Sequence, residues 1–143
     1  MSESRKDILP EGKLTFELLG PILDSMPTDG LPVSNRVGMD AGIVKMVGKQ
    51  IFSYSEAAFG SAPGIAEDLI ANLLHQTASL GKALVLNPVV LIPVGTSVGV
   101  IRRVLVDISK SAKAHRIIVG KGHTEITSRV KEVTLIATVL GSF

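Results

Sequence analysis

Ala83-Leu84-Val85-Leu86-Asn87-Pro88-Val89-Val90-Leu91-Ile92 places aliphatic side chains on both alternating sets of positions. A strand with one wet face alternates apolar and polar residues. A run that is apolar on both parities therefore predicts a central strand covered on both faces. Upstream, Ala66, Leu69, Ile70, Leu73, Leu74, Thr77 and Leu80 recur at helical spacing. Pro63 stands near the start of that helix, Glu67 and Asp68 in its first turn where the dipole favours negative charge, and Gly81 is a stop. Downstream, Ser97 of Gly95-Thr96-Ser97 offers an N-cap for a second helix with Val100, Ile101, Val104, Leu105 and Ile108 on one face. Arg116 to Gly120 reads as another buried strand, Lys121 to Arg129 as a turn, and Glu132 to Leu140 as a last strand.

Toward the N-terminus, Ala41–Val47 and Gln50–Tyr54 predict a hairpin closed at Gly48-Lys49, followed by a loop from Ser55 to Gly64. Before them, Leu14–Leu23 has helical spacing interrupted by Gly20-Pro21, and Met26–Asn35 carries the turn chemistry of Pro27, Asp29-Gly30 and Pro32. Residues 1–13 are polar and predict a flexible tail, which leaves one domain over 14–143. Strands paired at both ends of the chain exclude an alternating doubly wound sheet. The pattern predicts an α+β layer with both long helices on one face. The other face is then bare, and strands this apolar predict a partner upon it.

Composition bounds what such a domain can do. At 143 residues and 45% hydrophobic content it can build one aliphatic core without staples. Cysteine is absent, which excludes disulfides, thiolate zinc sites and thiol nucleophiles. Aromatic residues make up 3% and Trp is missing, so base-stacking platforms have no material. Mean hydropathy is +0.39, but the longest apolar run, Ala83–Ile101, contains two prolines and several polar residues, which predicts no membrane span. An N-terminus without an apolar h-region predicts no signal peptide and a cytoplasmic location. Residues 1–71 hold six Lys/Arg against ten Asp/Glu (−4), and residues 72–143 hold nine against three (+6). That asymmetry suits an anionic ligand near the second half, complementary contacts between subunits, or a solvated basic helix face.

Four short motifs follow in order. They are Gly38-Met39-Asp40-Ala41-Gly42, Asn72 to Gly81 at the end of the strong helix, Leu91-Ile92-Pro93-Val94-Gly95-Thr96-Ser97, and Gly120-Lys121-Gly122-His123-Thr124-Glu125. As residue types alone, Asp40 fits a turn cap as well as a ligand, and His75 on a helix is more often a surface group. His123-x-Glu125 lacks the paired cysteines a zinc deaminase needs, and no Walker loop occurs.

Taken together and in this order, the motifs resemble the N-terminal half of the aminoimidazole ribonucleotide (AIR) synthetase-related superfamily. That group includes thiamine-monophosphate kinase, selenophosphate synthetase, formylglycinamidine ribonucleotide synthetase and the hydrogenase-maturation dehydratase. The resemblance runs from about Gly12 to Gly141 and leaves the family's C-terminal domain without a counterpart. It implies a ferredoxin-like layer of about four strands with two long helices on one face, pairing with a second subunit into a barrel. It also implies ATP and Mg2+ near that interface, with a nucleotide site at Gly38, Asp40, Ala41, Gly122, His123, Thr124 and Glu125 and metal ligands at Asp40 and Gln76. A homodimer acting on a small-molecule substrate or a protein partner follows from the same resemblance.

Departures from the family pattern are specific. Gln76 stands where a carboxylate is usual, Met39 where many members have a second acid, and Lys121 where the loop has its first glycine. An amide supplies a carbonyl oxygen without charge, so these changes predict weaker magnesium binding than in the family. Three functions are therefore in play. The first is an ATP-binding domain for phosphoryl transfer or for ATP-driven activation of a small molecule or protein thiol. The second is a catalytically degenerate dimerisation or interaction module of the same fold, so whether the chain is an enzyme stays open. The third and least favoured is nucleic-acid binding through Arg102, Arg103, Lys110, Lys113 and Arg116.

Overall fold

A computed structural model describes residues 16–17, 20–21, 42–46, 48–120 and 122–143. The helix expected at Leu14–Leu23 falls largely outside those residues. The tail, the Met26–Asn35 loop and the Gly38–Ala41 turn fall outside them altogether. Six strands, β1 (Gly42–Met46), β2 (Lys49–Phe59), β3 (Lys82–Pro93), β4 (Ile118–Val119), β5 (His123–Thr127) and β6 (Thr134–Ser142), form one mixed sheet. Two helices, α1 (Ile65–Thr77) and α2 (Val98–Ala114), pack on it. The strand order is β1-β2-β6-β3-β4, with β5 also paired to β3. The fold is the α+β ferredoxin-like layer that the motifs imply, with six strands rather than four.

The helical stripe read from the sequence is the buried one in α1: Ala66, Leu69, Ile70, Leu73 and Thr77. Thr77 satisfies its hydroxyl inside the core by donating to the Leu73 carbonyl at 2.9 Å. Ser97 caps α2, its hydroxyl accepting from the Val100 N–H at 3.3 Å. The inward face of α2 is turned relative to expectation. Leu105 is 40% exposed, while Ser111 and Ala112 are buried.

Every fully buried strand residue belongs to one parity: Phe52 on β2, Leu86, Val90 and Ile92 on β3, Leu135, Ala137 and Val139 on β6. Both helices therefore lie on one face of the sheet. The opposite positions of β3, from Val85 to Leu91, are half-buried, and no described element covers them.

Three expectations need correcting. Ser55–Phe59 continues β2 instead of forming a loop, because it matches β6 rung for rung from Ile51↔Ser142 to Phe59↔Thr134. Arg116–Gly120 is not a buried strand. Only Ile118 and Val119 pair, and they are 69% and 43% exposed, since they form the sheet's margin rather than its centre. Lys121–Arg129 is not a simple turn, because β5 runs through it and pairs in parallel with Val89–Pro93.

Candidate functional site

Beside the margin of β3, two parallel partners meet at an interruption. β4 pairs with Val85 and Leu86, and β5 pairs with Val89 to Pro93. Between them stands Pro88, which has no N–H to give. The Leu86 carbonyl accepts from the Gly120 N–H at 2.8 Å, so the even-numbered backbone groups of β3 face this margin. The missing donor of Pro88 thus faces the point where the chain leaves β4 and re-enters as β5. The glycines at that crossing are needed for close approach. A Cβ on Gly120 would stand 2.3 Å from Asn87 Oδ1, and one on Gly122 would stand 2.5 Å from the Pro88 carbonyl oxygen. The motif glycines that suggest a phosphate loop are therefore already required by packing.

In the parallel register, His123, Glu125 and Thr127 share a face with Val89, Leu91 and Pro93, whereas Thr124 shares a face with Val90. His123 and Glu125 thus border the face that the helices leave bare. They pair with each other, His123 Nε2 to Glu125 Oε2 at 3.0 Å, with side chains 61% and 55% exposed.

The remaining candidates lie elsewhere. Gln76 is exposed in the last turn of α1, just before β3 begins at Lys82. Since β5 starts opposite Val89, seven residues along β3, Gln76 and the His123–Glu125 pair are separated by roughly 20 Å at opposite ends of the sheet. Gly38, Asp40 and Ala41 are outside the described residues. Among the described residues no three His, Asp or Glu side chains converge as a metal site.

The bare face has a pattern of its own. Following the register across β2, β6 and β3 gives rows Ser53–Leu140–Val85, Ser55–Thr138–Asn87, Ala57–Ile136–Val89 and Phe59–Thr134–Leu91. None of these side chains is charged, and charge enters at the border of the face, at Lys82 in the next row, Ile51–Ser142–Lys82, and at His123 and Glu125 on β5. Ser55 and Thr138 share a hydroxyl–hydroxyl hydrogen bond of 2.6 Å in the second of these rows.

Sequence reading missed one polar cluster. On the helix side of β2, the Glu56 carboxylate accepts from the Tyr54 hydroxyl at 2.6 Å and from the Asn72 amide at 2.5 Å, tying α1 to the strand. Reading Ser55–Gly64 as a loop hid it. With β2 extended, Tyr54 and Glu56 fall on one face, and that period would have been the signal. A second tie is the Arg103 guanidinium, which donates to the Ser61 carbonyl ahead of α1.

No protein-family model matches the sequence, and no curated protein does. Solved structures do. The PurLQS structure from Thermotoga maritima superposes with a TM-score of 0.73 at 12% identity, over 100% of this chain and 27% of that one. Thiamine monophosphate kinase from Aquifex aeolicus gives 0.64 at 12% identity, over 88% and 41%. An AaThiL structure complexed with AMPPCP and TMP gives 0.66 at 12% identity, over 88% and 40%. The chain spans between about a quarter and two-fifths of the length of these proteins. At such identity the likeness establishes the fold, which is that of the AIR synthetase-related proteins.

Proposed function

We propose that this domain binds an adenine nucleotide at the border of its bare sheet face and that a second copy of the chain closes the face. The observation that carries the reading is the placement of Gly122–Glu125. The segment whose motif suggests phosphate contact lies along the margin of the sheet face that no described element covers. A fold neighbour complexed with AMPPCP supports a nucleotide as the ligand.

The Gly38–Ala41 turn, with Asp40, would meet the nucleotide together with Gly122, His123, Thr124 and Glu125. Asp40 would hold Mg2+ there, more weakly than a pair of carboxylates would, while Gln76, at the opposite end of the sheet from the His123–Glu125 pair, would not reach the same ion. Bound ATP would supply a phosphoryl group for transfer or activation. The residues of this chain bind and orient it, with His123 and Thr124 offering hydrogen bonds and Glu125 fixing the imidazole. Affinity for ATP, ADP and AMP, measured calorimetrically with and without Mg2+, tests the reading. Submillimolar binding that falls at least tenfold in His123→Ala is expected. Absence of binding at millimolar nucleotide would overturn it.

A second reading is favoured by a particular observation. Gly120 and Gly122 are explained by their contact with β3, and His123 and Glu125 satisfy each other. A domain that kept the fold and its pairing face while losing the chemistry would look the same there. Such a module would bind its partner undiminished in Asp40→Asn, whereas a nucleotide-dependent enzyme would lose turnover.

A further inference from the structure

A cavity of about 430 Å3 opens where both helices finish, between the last turn of α1, the first residues of β3 and the turn after α2. Its volume lies within the range of small-molecule sites. Leu74, Ala83 and Ile117 form an apolar floor, and Lys82, His115 and Arg116 supply polar groups around it. It is separate from the nucleotide margin, because Lys82 stands seven residues along β3 from Val89, the partner of His123. Gln76 follows Leu74 by two residues on α1 and so turns to another side of the helix. We propose that this cavity binds a small organic phosphate monoester, its phosphate held by Arg116, His115 and Lys82 and its organic body resting on the floor.

Charge selects the head group. Residues 72–143 carry nine Lys/Arg against three Asp/Glu, and none of those three, Asp107, Glu125 and Glu132, lines the cavity. Among the described residues the ion pair is that of His123 with Glu125, so neither Lys82 nor Arg116 has a carboxylate partner there. The ordinary use of cations at this place is to cap helix C-termini, whose carbonyls carry partial negative charge. Here the main chain serves those carbonyls instead. The Ala78 and Leu80 N–H groups donate to the His75 and Thr77 carbonyls, and those of His115, Arg116 and Ile117 to Ser111, Lys113 and Ala112, at 2.9–3.4 Å. Arg116 also holds its position against its own backbone. Among the described residues it is the non-glycine residue with positive φ, at 57°, where glycine would sit at less cost. What arginine adds there is a planar fork that gives a phosphate two parallel hydrogen bonds. The floor selects the rest of the ligand. Leu74 and Ala83 are partly buried and packed on the core, and Ile117 is buried beside them, so an apolar body covers surface that bare phosphate leaves wet.

Phenyl phosphate is the probe, followed by amide shifts in heteronuclear NMR. Saturable shifts at Ala78, Lys82 and His115–Ile117 are expected, with affinity at least tenfold above that for inorganic phosphate. Arg116→Gly relieves the backbone and removes the fork, and is expected to lower affinity for phenyl phosphate at least tenfold. Should that variant fail to fold, His115→Ala serves with the same expected direction. Four results would overturn the proposal: no shift at millimolar phenyl phosphate, shifts confined to Gly122–Glu125, equal affinity for inorganic phosphate, or undiminished binding in the variant. Shifts that persist around Arg116 while adenine nucleotides fail to bind would sink the nucleotide reading and leave this site standing.

Discussion

Replacing Gly122 by alanine separates two explanations of the motif that first suggests a nucleotide. Its φ lies outside the left-handed region, so alanine meets no backbone penalty there. The cost is one of space. The new Cβ would sit 2.5 Å from the Pro88 carbonyl oxygen, against 3.4 Å for ordinary contact, and 3.2 Å from Pro88 Cγ. The first obstacle is backbone in a central strand and cannot swing aside, so β5 must retreat from β3 by about 0.9 Å, the difference between those two distances. Overpacking of this kind costs about 1–3 kcal/mol, and for a chain of this size 2 kcal/mol corresponds to roughly 6 °C in Tm. Gly99 is the control. A Cβ there finds Ser97 Oγ at 4.0 Å, and Gly99→Ala lies in a helix, so it should gain about 0.5–1 kcal/mol. Calorimetric melting of the three proteins is the assay. If Gly122→Ala melts within 1 °C of the parent, the glycine is not kept by packing against β3, and the account of the β4–β5 crossing fails. Lost nucleotide binding with an unchanged melt would move the glycine to the ligand's side.

Two further outcomes rest on the ends of α2. Arg116 follows it with φ 57°, in the position where the Ile117 N–H returns to the Ala112 carbonyl at 2.9 Å, a motif that glycine ordinarily occupies. Arg116→Gly should therefore raise stability by about 0.5–1 kcal/mol in urea unfolding, and a loss would show that the side chain earns its strained backbone. Ser97→Ala removes the cap that receives the Val100 N–H and should cost about 1 kcal/mol, read as a lower urea midpoint at unchanged slope.

The helices were legible because their signals are local. The stripe from Ala66 to Thr77 and the Ser97 cap need only neighbours three or four residues away. The centre of the sheet was legible for the same reason, since a run as apolar as Ala83–Ile92 has few places to go. The margin was not. Ile118 and Val119 look buried in sequence and are exposed, because apolar character says nothing about which strand ends up outermost. The stretch His123–Thr127 shows the converse: four of its five residues are exposed, so no hydrophobic alternation marks it, and its pairing is set by β3, some thirty residues earlier. Of the candidate site, the order of motifs could be read, but the distance between Gln76 and the His123–Glu125 pair depends on the register of β5, which no local pattern encodes.

Pro88 has a consequence beyond positioning a crossing. An outer margin with Ile118, Val119 and Ile126 exposed is the kind of ribbon on which stray chains can stack into fibrils. By withholding a donor in mid-strand, Pro88 breaks that ribbon into two stubs, of two and five residues, each short for a template, so an oily outer seam becomes a poor seed.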